Sequence, residues 1–164
     1  MRAMQILSAV GCSIAVTISL AENAPPKLTA VSEPPPAVTA ALESVANLCR
    51  EVGGTPMTVD AVKRVDLNVD GTDDYILDVG AINCDGAASV YGDREKSVMV
   101  YVGDEAGGAT EAFSDAVFGA RIDGTGAAAK LWLTVSGKQC GKKPAVDFAN
   151  EEFCDRALVW NAKT

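Results

Sequence analysis

Apolar residues recur with two different periods along this chain, and the change between them separates a helical segment from a strand-rich remainder. From Pro36 to Val52 they fall at Val38, Ala41, Leu42, Val45, Leu48, Cys49 and Val52, the three-four spacing of one helix face. Glu43, Ser44, Asn47, Arg50 and Glu51 take the other face. Gly53 and Gly54 end the segment, as glycine after a last turn does. Beyond them the period is two. Val98, Val100 and Val102 alternate with Met99 and Tyr101, and Leu131, Leu133 and Val135 alternate with Trp132 and Thr134. Turns are expected at Asp104 to Gly108, Asp123 to Gly126 and Ser136-Gly137, and a last strand from Ala157 to Trp160. The implied fold class is α+β, mainly β: an antiparallel sheet with one N-terminal amphipathic helix packed on it. No internal repeat is visible.

Upstream of the helix the pattern is different again. Arg2 precedes an apolar stretch from Ile6 to Leu20 that ends in Ser19-Leu20-Ala21, which reads as a signal peptide over residues 1–21 cleaved before Glu22. Roughly 15 apolar-leaning residues fall short of the roughly 20 that a spanning helix needs, so no transmembrane segment is expected. Ala9-Val10-Gly11-Cys12 also fits a lipoprotein cleavage site, which would put a lipid anchor on Cys12. That is the weaker reading, because Ala9 stands where a larger aliphatic is usual and few apolar residues precede it. Residues 22–36 hold Pro25, Pro26, Pro34, Pro35 and Pro36 among small and polar residues and read as an extended linker. Residues 37–164 are then one domain, and the expected location is periplasmic or secreted. About 140 residues remain after cleavage, enough for a single core.

Charge and missing residue types narrow the chemistry. The net charge is −8 and no basic run offsets it, so nucleic acid is not an expected partner. The chain has no His, which removes the usual general base, the Ser-His and Cys-His nucleophile pairs and most zinc sites. Carboxylate pairs could still serve as acid and base. Asp85, Asp104, Asp115 and Asp123 are candidates for an acidic-residue hydrolase, but nothing in their spacing fixes a pair, and Asp85-Gly86 and Asp123-Gly124 read as turns. No catalytic residue is assigned and a non-enzymatic role is expected.

Apart from Cys12, the cysteines are Cys49, Cys84, Cys140 and Cys154. An even count in an exported chain implies two disulfides, with three pairings possible. Cys49 with Cys84 and Cys140 with Cys154 are favoured, since the latter two bracket the polar, turn-rich Gly141-Lys142-Lys143-Pro144. Closing that loop is worth about 3 kcal/mol by the chain-entropy estimate.

One segment carries candidate chemistry: Asp66-Leu67-Asn68-Val69-Asp70-Gly71-Thr72-Asp73-Asp74, followed by the strand-like Tyr75-Ile76-Leu77. Oxygen side chains occupy every second position, then glycine, then oxygen again. Calcium takes six to eight oxygen ligands at about 2.3–2.6 Å, and alternating Asp and Asn on one turn of backbone can aim them at a point. Gly71 permits the positive φ that turns the chain around an ion, and Thr72 would offer its carbonyl. Asp66, Asp70, Asp73, Asp74 and Asp78 also crowd five carboxylates into a short stretch. Two unit charges about 4 Å apart repel by roughly 4 kcal/mol at an effective dielectric of 20, a conflict that a divalent ion removes.

The loop resembles the calcium loops of FG-GAP and VCBS-type repeats, in which the ion sits in a hairpin between two strands, and its start resembles the EF-hand loop. The resemblance implies Asp66, Asn68, Asp70 and Asp74 as side-chain ligands and Thr72 as a carbonyl ligand. Leu77 stands where an EF-hand has its bidentate Glu, and Tyr75-Ile76-Leu77-Asp78-Val79 is strand-like where a helix should follow, so a helix-loop-helix switch is not expected. A single copy cannot build a propeller. Over Asp66 to Asp78, Ile82 to Ser89 and Arg156 to Trp160 the chain is also similar to a group of small exported bacterial proteins without an assigned function. The functional expectation is an exported calcium-binding domain whose ion stabilises a hairpin loop. The alternative is an interaction module for an envelope protein or surface polysaccharide, using Trp132, Tyr101, Tyr91 or Trp160.

Overall fold

A computed structural model of the chain describes residues 33–160. The expected signal peptide, Cys12 and most of the expected linker lie outside the described residues. Helix α1 spans Pro36–Glu51 with proline in its first turn, where the missing amide costs nothing. Its buried stripe runs through Val38, Ala46 and Cys49, with Ala41, Leu42 and Val45 partly covered. Leu48, expected on that stripe, is 48% exposed. At about 100° per residue it lies about 80° from Val38 around the helix, past the edge of the face that Cys49 and Leu42 share with Val38.

Among the described residues nine strands follow: β1 (Thr55–Met57), β2 (Val62–Val65), β3 (Asp74–Asp78), β4 (Asn83–Asp85), β5 (Lys96–Gly103), β6 (Ala109–Val117), β7 (Gly119–Asp123), β8 (Lys130–Ser136) and β9 (Phe153–Ala157). All pairings are antiparallel. They form a four-stranded sheet in the order β2-β3-β5-β6, a three-stranded sheet in the order β7-β8-β9, and a β1-β4 ribbon. The β5–β6 ladder carries a bulge at Ala112, since Val100 faces Phe113 while Tyr101 faces Glu111.

The four-stranded sheet is the middle layer of three. On one face Tyr75, Leu77 and Tyr101 pack with Val38 and Ala61 under α1. On the other, Ile76, Val98, Val100 and Val117 meet Leu131, Leu133 and Val135 of the second sheet. Strand alternation sends neighbours such as Ile76 and Leu77 into different cores. The expected alternations on β5 and β8 appear in these positions. The last strand, however, is Phe153–Ala157 and not Ala157 to Trp160. Its register with β8 pairs Cys154 with Val135, so the strand begins before the cysteine, and Leu158 adds one amide bond to Leu131 beyond it.

Both favoured cysteine pairs are disulfides. Cys49–Cys84 joins α1 to the β1-β4 ribbon and is buried, with Cα atoms 5.7 Å apart. Cys140–Cys154 joins the short helical turn after β8 to β9, with Cα atoms 6.6 Å apart and Cys140 exposed. Among the described residues no helix is long and apolar enough to cross a membrane.

Candidate functional site

The acidic segment is the connection between β2 and β3. These two strands are an antiparallel pair in which Val65 faces Asp74, so the loop closes on adjacent strand ends. Its carboxylates are turned inward onto its own amides. Asp66 accepts from Asp70 N at 3.2 Å through Oδ1 and from Gly71 N at 2.9 Å through Oδ2. Asn68 Oδ1 accepts from the same Asp70 N at 3.0 Å, which brings Asp66 and Asn68 oxygens together at one donor. Asp70 Oδ1 accepts from Thr72 N at 2.7 Å, and its Oδ2 accepts from Asn68 Nδ2 at 2.7 Å. The Thr72 amide first, then the Asn68 side chain, hold Asp70 below the ordinary carboxylate range.

Two backbone positions make this turn. Gly71 sits at φ +87°, the left-handed region where glycine pays no Cβ penalty. Val69 sits at φ +60°, a conformation a β-branched residue rarely adopts and that costs on the order of 1–3 kcal/mol. Nothing in the sequence pattern marks Val69 for that role.

Asp74 differs from the other four predicted residues. It is fully buried, whereas Asp66, Asn68 and Thr72 are half-buried and Asp70 is exposed. Its Oδ2 accepts from Leu67 N at 2.9 Å and its Oδ1 from Gly103 N at 3.1 Å, so it ties the loop to the end of β5. Burial pushes its carboxyl up, the amides of Leu67 and Gly103 oppose that, and the Asp70 charge adds to the rise. Gly103 must come close for this to work: a Cβ there would stand 2.1 Å from the Asp73 carbonyl. Leu67 faces the core between the two sheets. Sequence reasoning missed Leu67 and Gly103 as loop anchors. An apolar residue set between two ligand-type residues was the available signal for the first, and nothing local signals the second.

The other two carboxylates of the stretch leave the loop. Asp73 pairs with Arg64 at 3.3 Å across the hairpin. Asp78 stands at the far end of β3, about 13 Å from Asp74 at the usual strand rise, and accepts from Gly80 N at 2.8 Å. Extended backbone thus disperses what the sequence crowds. Among the described residues, no three His, Cys, Asp or Glu side chains are grouped to hold a metal ion. The donors that do meet at the loop include an Asn oxygen and carry free lone pairs, since a carboxylate oxygen bonded to one amide can accept again. That is the chemistry of an oxygen-ligated ion.

The remaining sequence candidates are scattered. Asp85 is on β4, Asp104 in the β5–β6 turn accepting from Gly108 N, Asp115 on β6 and Asp123 at the end of β7, all exposed. Of the candidate contact aromatics, Tyr101 is buried, the Tyr91 hydroxyl is buried without a hydrogen-bond partner among the described residues, Trp132 is half-buried and Trp160 is 42% exposed. A surface aromatic group lies elsewhere: Phe118, Phe148 and Phe153 meet at centroid distances of 4.6–6.0 Å, with the Arg94 guanidinium 3.7 Å over Phe148. The fold and loop together define a disulfide-stapled three-layer domain with an acidic hairpin at one end. No family model matches the chain, and no curated protein or solved structure matches it.

Proposed function

We propose that this chain is an exported, non-enzymatic calcium-binding domain whose ion is held in the β2–β3 loop and stabilises that hairpin. The observation that carries the reading is the convergence of Asp66 and Asn68 oxygens on one amide, inside a turn closed by Gly71 and charged by Asp70. Asp66, Asn68 and Asp70 supply side-chain oxygens, Thr72 its carbonyl, and Asp74 an oxygen together with the anchor to β5. The mutual repulsion of Asp70 and Asp74 gives a divalent cation something to relieve. Two disulfides support an oxidising compartment, periplasmic or extracellular.

Thermal melting in calcium chloride and in chelator tests this. A ligand at 100 times its dissociation constant stabilises by about 2.7 kcal/mol, which raises the midpoint by several degrees. Asp70→Ala should abolish the shift and Asp123→Ala should keep it. An unchanged wild-type midpoint refutes the ion site.

The exposed Phe148 and Phe153, packed on the half-buried Phe118 beside Arg94, favour a second reading, an interaction module for an envelope protein or surface polymer. Pull-down from envelope extract with wild type and Phe148→Ser addresses it, and identical captures would count against it.

A further inference from the structure

The two facing sheets do not close over their shared core at the loop end. A cavity of about 290 Å³ opens there, at the lower edge of the roughly 300–1,000 Å³ typical of small-ligand sites. Leu67, Val100, Ala129 and Leu158 are among its walls, with Trp160 at the same opening. Asp74 also lines it, but both of its oxygens are turned to the Leu67 and Gly103 amides. The remaining charge is Lys130 at the start of β8. Lys130 is exposed and makes no ion pair among the described residues, although Asp123 stands opposite it in the strand register.

We infer that this cavity binds a medium-chain aliphatic carboxylate, with its tail between the sheets and its carboxylate at Lys130. An apolar wall cannot satisfy the hydroxyls of a sugar or the amides of a peptide, each of which would cost free energy if buried unpaired. A short alkyl chain makes no such demand and gains from leaving water. One unpaired cation at the rim selects an anionic head over a neutral one. At about 290 Å³ the cavity has room for a chain of medium length. The segment Ala157 to Val159 also lines a second cavity of about 320 Å³, whose walls mix Phe113, Leu133 and Val135 with Asp115, Gln139 and Arg156.

Isothermal titration with sodium octanoate and with 1-octanol, in chelator so that the ion reading is not involved, tests the inference. Wild type should give saturable heat with both and bind octanoate more tightly. Lys130→Met should weaken octanoate about threefold, the scale of an exposed ion pair, and leave octanol unchanged. Ala127→Trp, at an exposed wall position, should block both ligands while melting like wild type. The inference is overturned by no saturable heat with octanoate, by equal octanoate affinity in wild type and Lys130→Met, or by unaltered binding in Ala127→Trp. Dimerisation in sedimentation velocity that Ala127→Trp abolishes would also overturn it, by making a second copy the occupant.

Discussion

Asp74 shows how one side chain can serve the fold and a candidate site together. Its two oxygens bond amides from different parts of the chain, Leu67 and Gly103, while the residue itself is withdrawn from water. Asp74→Asn replaces one acceptor with a nitrogen that faces an N–H donor. It should cost about 2 kcal/mol in chelator, read by chemical denaturation, because a buried donor loses its partner. Asp70→Ala removes the exposed acceptor of the Thr72 amide and should cost less in chelator than Asp74→Asn. The pair of variants separates anchoring from ion binding. Asp155 gives a second residue-level expectation. The Thr134 hydroxyl, at 2.7 Å, and then Arg121, at 2.6 Å, hold its carboxyl below the ordinary aspartate value of 3.8. A lowered folded pKa contributes stability above the unfolded value and loses it as pH falls through the folded one. Asp155→Asn should therefore be less stable than wild type near neutrality, with the gap closing as pH falls below 3.8 in a denaturation series.

Strand β3 is the element on which the layers depend. It is central in its sheet, buried on both faces, and sends Tyr75 and Leu77 toward α1 but Ile76 toward the second sheet. Leu77 is fully buried, so Leu77→Ala removes side-chain volume from the helix-facing core and should cost about 3 kcal/mol in denaturant midpoint experiments. The short apolar run Tyr75-Ile76-Leu77 was legible as a strand. That both its faces are covered was not, because a continuous apolar run reports burial without naming what covers each side. The last strand was misplaced for a related reason. Its apolar signal lies in Ala157 to Trp160, yet β9 is an edge strand whose pairing is set by backbone bonds to β8 and whose own residues are largely exposed.

At the scale of the molecule, the two disulfides tie peripheral pieces to the sheets. Cys49–Cys84 holds α1 to the β1-β4 ribbon, and Cys140–Cys154 closes the loop that carries Phe148. By loop length, replacing the first pair with serine should cost about 4 kcal/mol and the second about 3 kcal/mol, measured by urea denaturation of each double variant. Limited reduction should open Cys140–Cys154 first, since Cys140 is exposed while Cys49 and Cys84 are buried.

The sequence by itself determined the helix, the alternation on β5 and β8, the favoured cysteine pairing and the turn-forming character of Asp66 to Asp74. These rest on local period and spacing, which the chain carries wherever it folds. Only the tertiary structure decided that Asp74 is buried while Asp70 is not, that Gly103 closes against Asp73, and that Asp78 is carried away from the loop. Those outcomes depend on which strand lies beside which. The acidic segment was conspicuous from spacing alone, but the division of its carboxylates among anchor, turn and ion pair follows from contacts between residues far apart in the chain.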